Sequence, residues 1–217
     1  MPRLRAGGLM GLLAVGSVIL TGCASVPPLK EDAVAKALPP MARPERAVGY
    51  KEVRLRDGKE EVLTLMAQTA DTQTWTDSSG CRGVVSRTGF APALEFANCE
   101  GGNTGTQTVK LLRGTPYPLT LGSKWAYSYS GTNTKGDRWD GQRDCEVMGT
   151  ARIKTGTGEH DTYKVVCDER TRSSKTMNTY YVSPALQSTV FQQRYRIRHW
   201  TGAPPPDTTK WELVRQE

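Results

Sequence analysis

Histidine is scarce in this chain: two in 217 residues, His160 and His199. A metal centre built on imidazole therefore has almost nothing to draw on. No two of the five cysteines stand within four residues of each other, which removes both the paired-cysteine zinc site and the C-x-x-C redox motif. No P-loop, H-E-x-x-H, nucleophile elbow or glycine-rich dinucleotide turn is present. Catalytic triads assemble from distant residues, so a hydrolase built on His160 or His199 stays as the catalytic alternative. The first expectation is a non-enzymatic protein with no cofactor. Long apolar runs are also missing, and the mean hydropathy of −0.52 excludes a polytopic helical membrane protein. Charged residues make up 24% of the chain and aromatics are present, so wholesale disorder is not expected.

What is present begins at the N-terminus. Arg3 and Arg5 precede an apolar run from Leu9 to Leu20, 12 residues long. At 1.5 Å per residue this is too short for a hydrocarbon core of about 30 Å, and it has the length of a signal-peptide apolar region. Leu20-Thr21-Gly22-Cys23 follows. It resembles the bacterial lipobox, in which the cysteine thiol takes a diacylglyceryl group, cleavage occurs before it, and the new amine is acylated. The resemblance implies a signal peptide over 1–22, lipidation at Cys23, and a membrane held by acyl chains, each buried CH₂ contributing about 0.8 kcal/mol. Loss of residues 1–22 leaves 195 of the 217, and loss of two arginines and no acid lowers the formal charge from +7 to +5. Ala24 follows the cysteine, and by the sorting rule of enteric lipoproteins a residue other than aspartate there implies the outer membrane.

With Cys23 lipidated, Cys81, Cys99, Cys145 and Cys167 remain, an even four in an oxidising compartment. Segment 143–154 leads through a glycine-rich turn into 161–170. A two-residue ladder centred on Gly156 sets Cys145 opposite Cys167. A second hairpin centred on Phe90 sets Cys81 opposite Cys99. Directly opposed strand residues have the short separations a disulfide requires, so the expected pairs are Cys81–Cys99 and Cys145–Cys167.

Residues 23–48 read as a tether. Pro27, Pro28, Pro39, Pro40 and Pro44 interrupt them, with one or two helical turns expected over 31–38. From residue 49 to 217 the pattern is β. Asp57-Gly58 between two alternating segments is a hairpin signal, and turn residues recur every 8–12 positions across about a dozen strands. The expected fold is all-β: one domain, an antiparallel meander forming a curved sheet, half-barrel, barrel or sandwich, with two disulfide-bridged hairpins.

Over residues 115–215 a resemblance emerges. Tyr117-Pro118-Leu119, Gly122, Trp125 and Tyr127 form a PL-x-x-G-x-x-W-x-Y strand motif. Gly158 with Asp161 to Val165, then Tyr180-Tyr181-x-Ser183-Pro184, then Glu212-Leu213-Val214 continue it. This pattern is similar to that of a broad group of uncharacterised bacterial envelope proteins, with His160 where the group usually carries phenylalanine. The resemblance implies an extracytoplasmic β domain and transfers no catalytic residue.

One charged segment stands out. Alternation puts Arg194, Arg196 and Arg198 on one strand face and Tyr195, Ile197 and His199 on the other. The functional reading is an anionic contact, to anionic lipid, lipopolysaccharide or polysaccharide. The plainer reading is a solvated outer face that resists edge pairing. Nucleic acid is not expected, because no stacking aromatics share the arginine face. The overall expectation is a lipid-anchored envelope binding or accessory module. A carrier of an amphiphile in an apolar groove is its main rival.

Overall fold

Asp57 and Gly58, both at positive φ (46° and 84°), reverse the chain in two residues between β1 (Lys51–Arg56) and β2 (Lys59–Gln68). The computed structural model describes residues 29–217, so the signal-peptide and Cys23 expectations lie outside the described residues. The meander continues through β3 (Thr72–Asp77), β4 (Arg82–Ser86), β5 (Glu95–Cys99), β6 (Asn103–Arg113) and β7 (Lys124–Asn133). It ends with β8 (Arg138–Thr155), β9 (Gly158–Thr171), β10 (Ser174–Ser183), β11 (Ser188–Arg198) and β12 (Asp207–Gln216). Each strand pairs antiparallel with the next, and β12 pairs with β1, closing a twelve-stranded barrel. Closure leaves no free edge, which answers the aggregation problem of an open sheet.

Both expected disulfides are made. Cys145 faces Cys167 across the β8–β9 ladder, and Cys81 bonds Cys99 beside β4 and β5. Opposed residues share a face, so the buried Cys145–Cys167 bond fixes the inward side of the wall. Reading across the ladders, Trp125, Cys145, Cys167, Asn178, Arg194 and Thr209 form one inward row. Tyr127, Arg143, Glu169, Thr176, Arg196 and Asp207 form the next. The outward positions between them on β8 are Asp140, Gln142, Asp144 and Glu146, all polar.

The interior is packed unevenly. Trp125, Tyr127, Cys145, Val147, Tyr163, Val165, Cys167 and Val182 build a buried core on β7 to β10. Loop residues plug its end. Phe90 (φ 56°) takes a conformation costly for a bulky side chain, and its ring is held by Trp125, Tyr180 and Tyr117 at centroid distances of 5.4, 5.2 and 6.2 Å. A second apolar cluster, with Tyr181 and Phe191 on the opposite face of the wall, joins Ala151, Ile153, Val190 and Leu213 near the tip of the long β8–β9 hairpin, where Leu29 of the N-terminal segment packs on it.

The expected tether behaves differently from a free spacer. From residue 29 it is a strap docked on the barrel, and no helix forms over 31–38. Asp32 bridges to Arg152 and Met41 to Leu119 through backbone pairs, and Met41 is buried. Tyr163 donates its hydroxyl to the carbonyls of Leu38 and Pro39. Glu31 accepts from Lys164 and from Tyr181 Oη at 2.6 Å. Pro39, Pro40 and Pro44 favour extended backbone, and anchoring side chains then hold it in place.

Candidate functional site: an arginine-lined chamber

The β1–β4 side of the barrel is not filled. A chamber of about 490 Å³ runs along it, from Arg43, Pro44 and Arg46 of the strap to Arg56, Asp77 and Cys81 at the far rim. This volume falls within the range of small-molecule sites, about 300–1,000 Å³. Trp75, Phe90, Tyr117, Tyr180 and Trp211 supply flat apolar walls. Among them stand six arginines (Arg43, Arg46, Arg54, Arg56, Arg87 and Arg143) against three acids, Glu52, Glu61 and Asp77.

Two of the three acids are fully engaged by hydrogen bonds. Glu52, 2% exposed, accepts from Ser188 Oγ at 2.8 Å, from Arg46 Nη2 at 3.3 Å and from Arg54 Nε at 3.1 Å. Burial alone would raise its pKa. The Arg54 and Arg46 charges and the Ser188 bond outweigh that and hold its carboxyl below the usual range. Glu61 lies 3.1 Å from Arg56. Asp77 accepts from the amides of Ser79 and Cys81 at 2.8 and 3.0 Å. Outside the lining, Glu169 binds Arg143 Nε at 2.9 Å and Tyr129 Oη at 2.6 Å, while Glu45 pairs with Arg87.

The aromatic walls are fixed in turn. Arg54 lies 4.0 Å over the Trp211 ring, and Trp211 Nε1 donates to Gln192 Oε1 at 2.7 Å. Tyr50 meets Trp75 edge to face at 6.2 Å. Burial pushes the Tyr117 phenol up to about 12 and raises that of Tyr180, so both stay protonated at neutral pH. Two buried donors are left over at the strap end. Arg46 Nε and Arg87 Nε have no hydrogen-bond partner.

The basic stripe singled out in the sequence has the expected alternation, but its arginines face inward. Arg194 and Arg196 sit in the inward rows with Cys167 and Glu169, while Tyr195 is exposed on the outside. Gln192, on the same face, lines the chamber, and the stripe continues from it toward the rim. Arg198 pairs with Asp207 at 2.7 Å, and Arg194 and Arg196 have no ion pair among the described residues. The solvated outer face read from the sequence is thus the inner one, because buried arginines invert the usual polar-outward rule.

The chamber itself was missed from sequence. Its inward positions, such as Glu52, Arg54 and Gln73, are polar and read as surface. A signal existed in the alternation of arginine and glutamate on β1, which fits neither a plain core nor a plain exterior. The two histidines are not brought together: His160 bonds Thr157 Oγ1 at 2.7 Å at the β8–β9 tip, and His199 follows β11 at the opposite rim. Among the described residues no group of three His, Cys, Asp or Glu could hold a metal ion.

No protein-family model matches the chain, and no curated protein matches its sequence. Among solved structures, the chain is similar to the hypothetical lipoprotein YmcC from Escherichia coli (K12), at 11% identity and a TM-score of 0.50, over 76% of this chain and 83% of that one. An exported protein with a YmcC-like fold from Bacteroides fragilis aligns at 12% identity and a TM-score of 0.40, over 82% of this chain and 99% of that one. The similarity to YmcC is one of fold.

Proposed function

We propose that this protein is a lipid-anchored lipoprotein of the bacterial envelope whose barrel chamber is a non-catalytic binding site. The observation that carries the reading is the unfilled chamber itself. Interiors normally pack to crystal-like density, and a 490 Å³ space walled by aromatic rings and arginines is a departure that binding explains. The address rests on other grounds: the lipobox at Leu20 to Cys23, the pairing of all four remaining cysteines in disulfides, and a fold shared with a protein described as a lipoprotein. Ala24 supports the outer membrane within the envelope.

The anchor is tested by Cys23→Ser. The variant is expected to lose acyl labelling and to leave the membrane fraction; normal membrane fractionation would overturn the anchor. The amphiphile-carrier reading keeps support from the aromatic walls, but the space is not the purely apolar groove it was expected to need.

A further inference from the structure

We infer that the chamber takes an organic anion: a molecule with a carboxylate or phosphate head and an apolar body. This rests on the reading of the chamber as a binding site. The argument begins with the hydrogen-bond accounts of two arginines. Arg87 has a 9% exposed side chain, and its terminal nitrogens are used by Thr69 O and Glu45. Its Nε–H is buried and unmatched. Arg46, 13% exposed, gives one terminal nitrogen to Glu52 and Gln187 O, and its Nε–H is likewise buried and unmatched. Both residues line the same chamber. A buried donor without an acceptor costs about 1–3 kcal/mol, more on a charged group, and native proteins rarely leave two on one cavity.

Neither Glu52 nor Asp77 can supply the missing acceptor without breaking a bond it already has, and the free acceptor in the lining, Glu61 Oε2, belongs to the far rim beside Arg56. Glu52 serves two arginines and Asp77 is spent on turn amides, while Glu61, 3.1 Å from Arg56, keeps its buried Oε2 without a hydrogen bond. The acceptor that fits is an anionic oxygen brought from outside. Charge-assisted bonds of this kind are among the strongest available to a ligand. With Glu169 on Arg143 and Glu45 on Arg87 counted, the wall keeps an excess of one cation, and the inward-facing Arg194 and Arg196 beyond Gln192, without ion pairs among the described residues, add to it. Fields of this sign gather anions toward a concave site. The rest of the ligand meets Trp75, Tyr180 and Trp211, which ask for an apolar body and offer little to a bare inorganic ion.

Gly83 provides a test that leaves every charge in place. It lies opposite Trp75 on the inward face, lines the chamber, and a β carbon there would meet nothing nearer than Glu95 O at 4.0 Å. Gly83→Leu therefore fills the space without strain. The full-length lipidated protein in phosphatidylcholine nanodiscs is titrated with 8-anilinonaphthalene-1-sulfonate, with empty nanodiscs as blank, and the bound probe is displaced by octanoate, octan-1-ol or inorganic phosphate. Octanoate is expected to displace it at concentrations at least tenfold below either competitor. Gly83→Leu is expected to abolish the displaceable signal. Arg87→Gln and Arg46→Gln are expected to weaken octanoate about tenfold while leaving octan-1-ol unchanged. If octan-1-ol or inorganic phosphate competes as well as octanoate, and Gly83→Leu still blocks binding, the organic-anion inference is overturned and the chamber remains a site. If Gly83→Leu leaves probe binding and displacement untouched, the chamber reading falls with it. Ligand selectivity and Gly83→Leu decide the matter even where an arginine variant does not fold.

Discussion

Along β7 to β10 the inward positions include the apolar Trp125, Tyr127, Cys145, Val147, Val165 and Val182 beside the polar Arg143 and Glu169; along β1 to β3 the balance reverses, with Glu52, Arg54, Arg56, Glu61 and Gln73 beside Leu63, Leu65 and Trp75. The strands of the first group run 10–18 residues, whereas β3, β4 and β5 run six, five and five. Both disulfides repeat the contrast, since Cys145 and Cys167 are buried and the Cys81–Cys99 pair is only partly so. One wall thus serves two ends. The packed half stabilises the barrel through hydrocarbon burial, about 1.5–3 kcal/mol for each large side chain. Closure then carries that order round to a half whose inward residues need not pack against one another, and which is left free to line a chamber.

The comparison breaks first at tryptophan. Trp125→Ala, at a fully buried position of the packed half, is expected to cost about 4 kcal/mol, and Trp75→Ala in the chamber wall about 2. Urea unfolding of the two variants measures this; equal losses would mean that the halves are equally load-sharing.

Glu52 sharpens it with pH. Its folded pKa lies below the ordinary value of 4.5, so its contribution is complete above that value and is lost as pH falls through the folded pKa. Glu52→Gln leaves Arg46 and Arg54 without their shared acid, and about 3 kcal/mol should go at pH 7. Unfolding curves from pH 7 to 3 should show the wild type converging on the variant in acid. A difference that persists unchanged at pH 3 would contradict the pairing.

The smallest effect lies between the disulfides. Their sequence separations, 18 and 22 residues, give chain-entropy terms within about 0.2 kcal/mol of each other, so removing either by paired Cys→Ala costs about 3 kcal/mol. Burial of Cys145 and Cys167 should add about 1 kcal/mol to the second loss. Thermal unfolding of the two double variants would show it.

Much of the wall could be read before any coordinates. The Asp57-Gly58 turn, the run of strands and the Cys145–Cys167 opposition follow from period-two alternation and turn residues, because these are local facts; Cys81–Cys99 is made as well, but one register step off direct opposition, since Arg82 pairs with Ala97. The resemblance over residues 115–215 covers the packed half, where inward residues are apolar and leave a clear pattern. The chamber half was opaque for the converse reason. Alternation says that Arg194, Arg196 and Arg198 share a face; which face it is depends on the register with β9 and β8, where Cys167 and Cys145 mark the inner side. The strap was hidden likewise, since Met41 and Glu31 find Leu119, Lys164 and Tyr181 more than 70 positions away.

That strap also sets the leash of the molecule. Read as a free spacer, residues 23–48 would let the barrel roam far from its lipid. Docked from Leu29 onward, it leaves only five residues between that point and Cys23, six steps of the chain and at most about 20 Å. Leu29 packs beside the β8–β9 tip and Leu186, at the end of the barrel opposite Arg198. A barrel lipidated at Cys23 would therefore be tethered by its strap end, within about 20 Å of the bilayer, with the rim bearing Arg198 at its other end. On that reading the rim bearing Arg198 faces the aqueous space, at the barrel end farthest from the anchor.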